Sequence, residues 1–373
     1  MITTPPRPPG ADAAAQALIE EARRRQRKRR LVVAGSLLVV AAIGVTVALV
    51  VHGGRSTGAR ERPPERSAGS GGGAIRLVRP GALAVAADGT VYVADDGRDR
   101  LEVVAGTGKP GFAGDGGRAV DARLRRPAGM AVVADGTLYV GDSGNNRVRA
   151  VSPRGIIRTV AGNGRFGWVA SGTPGRPAAL GEPAAVTIGR DGRLYVVSES
   201  WGEVLRLSPD GTLAKVAGIR GPEGVYGVGG PATRASADGP EGLAFDGAGN
   251  LFVAGFNTKT LLMVTPGGTM RLPAGIGRDY PSAGGLVATP DGRVLATNRT
   301  SILELTPHGA RTVFDFGRSR VAGIRGFVAE GIAVDRRGDI YLDTYPSGYA
   351  STSATALVEI HPDGSARMLW TSS

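Results

Sequence analysis

The sequence predicts an all-β fold of radially repeated, four-stranded antiparallel sheets, and three observations carry that expectation. A ladder of related segments runs through the chain: PAGMAVVADGTLYVGDSGNNRVRAVSPRGIIRTVAGNG starts at Pro127, and its relatives begin near Gly81, Glu182, Glu241, Gly284 and Glu330. Their turn glycines, Gly89, Gly136, Gly192, Gly249, Gly292 and Gly338, lie 47, 56, 57, 43 and 46 residues apart. That period belongs to stacked supersecondary units. All but the first also carry a Pro-x-Gly turn, as SPRG, SPDG, TPGG, TPHG or HPDG, in which Pro pre-sets φ and Gly supplies φ > 0. Four strands repeated around an axis are the β-propeller answer to exposed sheet edges. Six segments predict six blades.

Before the ladder the sequence changes character. Residues 1–30 form a Pro- and Ala-rich tail ending in RRRQRKRR. Residues 31–51 (LVVAGSLLVVAAIGVTVALVV) carry no charge. As a helix this stretch spans roughly 31 Å, the thickness of a bilayer's hydrocarbon core. The basic flank predicts a cytoplasmic N-terminus, so residues 31–51 read as a transmembrane signal-anchor helix with the rest of the chain extracytoplasmic. The competing reading is a cleaved signal peptide, whose apolar core is normally about 7–15 residues. Residues 52–73 are Gly, Ser, Pro and charge, the composition of a flexible linker. Residues 74–373 hold the propeller.

Within a rung, the second is the clearest. Met130–Val133 and Leu138–Val140 flank the Ala-Asp-Gly turn, SGNNR leads into Val148–Val151, and SPRG turns the chain into Ile156–Val160. In the last rung Ala356–Ile360 and Ala366–Trp370 supply the outer strands. The first rung is one strand short, because Arg100–Ala105 runs straight into the next connection. Ile75–Val78 is a spare strand that leaves the pairing at ring closure open.

GMAVVADGTLYVGDSGNNRVRAV resembles an NHL repeat, and the loop AGTGKPGFAGDGG with DARLRRPAG is similar to the inter-blade segment of bacterial and teneurin-like NHL proteins. The resemblance spans about residues 75–370. It implies a six-bladed propeller acting as a binding platform, although propellers of similar build include lactonases and lyases, so the fold leaves function open.

Charge divides by compartment. Of the net +12, +5 lies in residues 1–30, +2 in 52–73 and +5 on the propeller. The basic run at 23–30 suits membrane topology and contact with cytoplasmic membrane lipid, and no nucleic-acid partner is expected. Only four of the 45 basic residues are Lys, the usage of a GC-rich bacterial genome. The chain has no Cys and therefore no disulfide.

Several motifs resolve into structure. Gly106-Thr-Gly108-Lys-Pro-Gly111 has dinucleotide-loop spacing, but more glycines follow instead of a helix. Gly141-Asp142-Ser143-Gly144 has the look of a protease nucleophile motif without a nearby His to act as base. Asp142 is expected to accept hydrogen bonds from loop amides or Arg147. The only His residues are His52, His308 and His361. They sit beside the apolar span and in outer turns, and cannot assemble the three-His zinc site of a lyase-like propeller. No catalytic residue is assigned, and no cofactor is required.

Two candidate sites remain. Glu182, Glu241 and Glu330 each stand just before a first strand, where carboxylates converge at the channel mouth with Asn298 or Asp343 nearby. Such oxygens suit Ca²⁺, and resembling lactonases keep an acid-and-amide set there. The alternatives are a metal-dependent hydrolase or lyase, or three solvated acids. The other candidate is the face bearing the long inter-blade loops, residues 106–126, 162–182 and 218–240. Phe112, Phe166, Trp168 and Tyr226 lie in these loops, and Trp201, Phe256, Tyr345 and Tyr349 join from second-to-third-strand loops. Aromatics gathered on one face either bind a protein, peptide or glycan, or pack the loops down.

Overall fold

The computed structural model describes residues 80–371, except for 86–90, 96–99, 134, 220–223, 238, 256–259, 274–284, 299, 317, 319–326, 335–337 and 347–355. The expectations for residues 1–73, and for Phe256 and Tyr349, lie outside the described residues. Among the described residues no helix is long and apolar enough to cross a membrane.

The chain is an all-β propeller of antiparallel blades. The second blade orders Pro127–Val132, Leu138–Asp142, Arg147–Val151 and Ile157–Ala161 from centre to rim. Four further sheets repeat that order, opening on Pro183–Ile188, Pro240–Phe245, Leu286–Ala288 and Phe327–Val334. Among the described residues, five blades therefore have four strands or more, against the six expected. The first rung forms a three-stranded sheet, Pro80–Val85, Val91–Asp95 and Arg100–Ala105. Its physical reason is the missing Pro-x-Gly turn, without which the chain cannot double back into a fourth strand. Pro80–Val85 lies against the innermost strands of both the second and the last blade. The third blade gains an edge strand from its own connection, because Thr173 and Pro174 pair with Leu213 and Thr212.

Turn chemistry sets the register. Gly136, Gly192, Gly249, Gly292 and Gly338 all have φ between 69° and 88°, which L-residues with a Cβ rarely adopt. Buried apolar runs such as LYVV and LFVA face neighbours on both sides of the sheet. The cores accordingly lie between blades. One packs Val148 and Ala161 of the second blade against Val196, Leu205 and Leu213 of the third. The connections plug these cores with apolar side chains, Ala119, Ala122 and Leu124 in one and Val169, Ala178 and Leu180 in the next.

One hydrogen bond recurs at each long connection: Gly106 N–H to Ala119 O, Gly162 N–H to Gly175 O and Gly218 N–H to Ala232 O, at 2.9, 2.9 and 3.0 Å. A Cβ on Gly162 would sit 2.2 Å from the Asn146 carbonyl oxygen, at φ 89°. Gly172 has nearly the same φ, 88°, with nothing within 4 Å of a Cβ. Gly172→Ala is thus expected to cost roughly the backbone strain alone, about 1–3 kcal/mol. Gly162→Ala adds a backbone clash and is expected to cost at least about 1–3 kcal/mol more. Denaturant titration of both variants checks this; equal losses would contradict the close-approach assignment.

Candidate functional site

The loop face is built from the second-to-third-strand connections and the ends of the inter-blade loops. In the second and third blades those connections are single 3-10 turns, Ser143–Asn145 and Glu199–Trp201, closed by left-handed Asn146 and Gly202. The chain entering each blade is bonded to the same turn: Gly144 N–H donates to Arg125 O and Glu199 N–H to Glu182 O.

Phe112 lies against the first turn. The Arg147 guanidinium stacks 3.7 Å from its ring centroid and Arg149 lies 4.9 Å away. Arg149 is wholly buried, with Asp115 at 2.8 Å and the equally buried Asp142 at 3.3 Å. Asp142 also accepts the Arg125 backbone N–H at 2.8 Å and the Asn145 side-chain amide. The GDSG segment is therefore a loop clamp. Arg149 takes the side-chain role expected of Arg147, which donates instead to the carbonyls of Asn145 and Asn163.

Fifty-six residues on, the third blade repeats the device with other chemistry. Trp168 stands where Phe112 stood and Glu203 where Arg147 stood. The Trp168 indole N–H donates to the buried Glu203 carboxylate at 3.0 Å, and Lys215 Nζ reaches the same oxygen at 2.6 Å. Lys215 also lies 5.6 Å from the Trp168 ring centroid. Burial pushes the Glu203 carboxyl above its ordinary range, opposed by Lys215 and Trp168. Burial does the same to Asp142, opposed by the Arg125 amide, Asn145 and Arg149.

The aromatic set separates on this geometry. Phe112 is 42% exposed, Trp168 53% and Tyr226 49%. Trp201 is 4% exposed, with its ring under Gly181 and 5.7 Å from the half-buried Phe166. Trp201 and Phe166 are props inside the loops and leave the binding set. Tyr345 falls in the strand Ile340–Pro346, and its side chain is outside the described residues.

The expected carboxylate ring is spoken for in part. Glu182, in a left-handed conformation before Pro183, accepts from Ser200 Oγ at 2.9 Å and lies 3.7 Å from Arg126. Asn298 accepts from Ser301 Oγ at 2.6 Å. Glu241 is exposed at the start of Pro240–Phe245, while the Glu330 side chain is outside the described residues, as is that of Asp343. A different trio comes together in the last blade: ligand atoms of Asp339, Glu359 and His361 lie within 4.8 Å of one another. One imidazole and two buried carboxylates are a donor set for zinc or a similar ion. The same groups also satisfy one another, with His361 Nδ1 2.8 Å from Asp339 and the Tyr341 hydroxyl donating to Glu359. In the sequence His361 is an outer-turn residue, and no spacing brings Asp339 and Glu359 to it.

Residues 107–152 match the teneurin NHL domain, a short stretch made of the first long connection and the first three strands of the second blade. No curated protein sequence shows significant similarity to the chain. Solved structures resembling it include a streptogramin B lyase, 13% identical with a TM-score of 0.46, covering 79% of this chain and 85% of that one. A catalytically inactive virginiamycin B lyase from Staphylococcus aureus with quinupristin is 11% identical, TM-score 0.44, over 78% and 83%. A gluconolactonase from Xanthomonas campestris is 15% identical, TM-score 0.43, over 65% and 74%. Likenesses of this size say nothing about what the chain binds or converts.

The buried carboxyl of Glu203 gives a signed prediction. Its folded pKa is raised above the unfolded value, so its contribution to stability is fully present below the unfolded pKa of about 4.3 and is lost as pH rises through the folded value. Glu203→Gln removes that titration. Wild-type stability relative to this variant should therefore fall as pH rises from about 4; melting curves across pH that show the reverse slope would contradict it.

Proposed function

We propose that the chain is a membrane-anchored, extracytoplasmic NHL-repeat propeller that works as a binding module for a protein, peptide or glycan. The observation that carries this reading is the pair of equivalent aromatics, Phe112 and Trp168, exposed on one face yet held from beneath by buried charge. An aromatic that is already immobilised loses little side-chain entropy on binding, which is how rigid rings serve as anchors. Support for the anchor comes from the uncharged stretch 31–51 behind its basic flank. A metal-dependent hydrolase or lyase is the alternative, and tightly bound stoichiometric calcium in the purified chain would favour it.

In the full chain, Phe112→Ala with Trp168→Ala is expected to abolish retention on isolated cell-wall material and crosslinking to envelope proteins. Stability should change little, because exposed substitutions are usually worth within about 0.5 kcal/mol, with some added loss from Glu203 giving up its indole donor. Retention and crosslinking unchanged in the folded double variant would contradict the assignment. Trp201→Ala tests something else: it removes a buried ring and should cost about 3–5 kcal/mol.

A further inference from the structure

We infer that Asp339, Glu359 and His361 form a binding site for one divalent transition-metal ion of the zinc class, at the hairpin-turn end of the last blade. That end is opposite the aromatic loop face, and the site is separate from the carboxylates expected at the channel mouth. The inference therefore does not rest on the binding reading above.

Comparing the repeats isolates what is unusual here. The residue after the hairpin glycine is Thr137, Arg193, Asn250 and Arg293 in the four preceding four-stranded blades, and Asp339 in the last. The residue opening the outer turn is Ser152, Ser208, Thr265 and Thr306, then His361. Two positions before it stand Ala150, Arg206, Met263 and Glu304, then Glu359. Of these five blades, the last puts a metal-ligating side chain at all three positions. The turn itself does not require the imidazole. Its backbone bonds, His361 N–H to Ser365 O and Gly364 N–H to His361 O, repeat those of Ser152 and Ser208. A hydroxyl at this position can serve the turn, as Ser152 Oγ does by accepting the Ile156 N–H. The imidazole reaches Asp339 instead.

The fifth blade shows how an acid at the Glu359 position is otherwise met. Glu304 pairs with Arg293 at 3.5 Å and with Arg311 at 2.6 Å. In the last blade Arg367 stands opposite Glu359 as Arg311 stands opposite Glu304, but the counterpart of Arg293 is Asp339. A positive charge has become a negative one beside a second carboxylate. Like charges set close across a strand pair repel, and a divalent ion held between them turns that repulsion into coordination.

The geometry fits such an ion. Asp339 is 6% exposed and Glu359 3%, so both carboxylates are shielded from water. The half-buried imidazole lies between them, Nδ1 2.8 Å from Asp339 and Nε2 4.0 Å from Glu359. Ligands of one zinc, each at about 2.0–2.2 Å, stand at most roughly 4.4 Å apart. One atom from each residue already lies within 4.8 Å of the others, before any ion draws them in. Three protein ligands leave the solvent side open for water, and the imidazole favours zinc over calcium or magnesium.

The full chain, purified in detergent micelles without a histidine tag and stripped with a chelator, is titrated with zinc and with cobalt(II). One equivalent of zinc should bind and raise Tm by several degrees. Cobalt should give the visible d–d absorption of a low-coordinate site. His361→Ser restores the residue of the second and third blades, so it should fold normally yet bind zinc at least about tenfold more weakly, the loss that even an outer-shell partner brings. Asp339→Asn and Glu359→Gln should do the same. His308→Ala, in the equivalent region of the fifth blade, should bind as the parent does. No binding at millimolar zinc would overturn the site and leave Arg367 to face Glu359. Unchanged zinc affinity in folded His361→Ser would overturn it equally. A calcium response that exceeds the zinc response and is lost in His361→Ser would overturn the metal class.

Discussion

The loop face depends on charge buried beneath it. Arg149 has no solvent access and is neutralised by Asp142 and Asp115. Asp115 belongs to the inter-blade loop and Asp142 to the end of a strand, so the pair joins the loop to the sheet. Removing one partner would strand a buried charge, a loss of about 3–5 kcal/mol in comparable sites. The third blade meets the same need with Glu203, Lys215 and the Trp168 indole. Two chemistries thus hold an aromatic ring at one repeat position with its outer surface in water.

Much of the fold was legible in the sequence because turn chemistry is local. Gly136, Gly192 and Gly249 sit at φ values that exclude most other residues, and their spacing gave the blade period. The shortfall in the first rung is visible as a missing Pro-x-Gly turn, and five blades are full among the described residues. The site was less legible. Trp168 and Trp201 look alike in sequence, both in polar connections between strands, yet one is exposed and the other buried under Gly181. Only the three-dimensional path separates them. Arg149 lies in an alternating strand where a surface position would be expected, and nothing local pairs it with Asp115, 34 residues earlier. A signal did exist: a 56-residue offset aligns Phe112 with Trp168 and Arg147 with Glu203.

The two ends of the propeller differ because different local rules built them. Hairpin turns select Asp to cap the backbone, and hydrogen bonds from Thr212 and from Ser365 hold the carboxyls of Asp210 and Asp363 below their ordinary range. Those acids stay charged to low pH. The long connections are free of that rule and carry aromatic side chains beside both basic and acidic ones, Asp115 and Asp121 among them. Backbone strain falls at the loop end too, where Arg126 and Glu182 both stand at φ 46° before a proline, against the extended preference of that position. The next blade places Gly239 there, at φ 68°. Sites that hold strain without glycine recur where structure serves a purpose beyond folding.

Amide hydrogen exchange on the full chain, with and without isolated envelope membranes, tests the central claim most directly. Binding through the pinned aromatic face predicts slowed exchange over residues 107–115 and 163–170. The hairpin turns around Gly136, Gly155, Gly192 and Gly211 should exchange as before. Protection confined to those turns, with the loops unchanged, would contradict it.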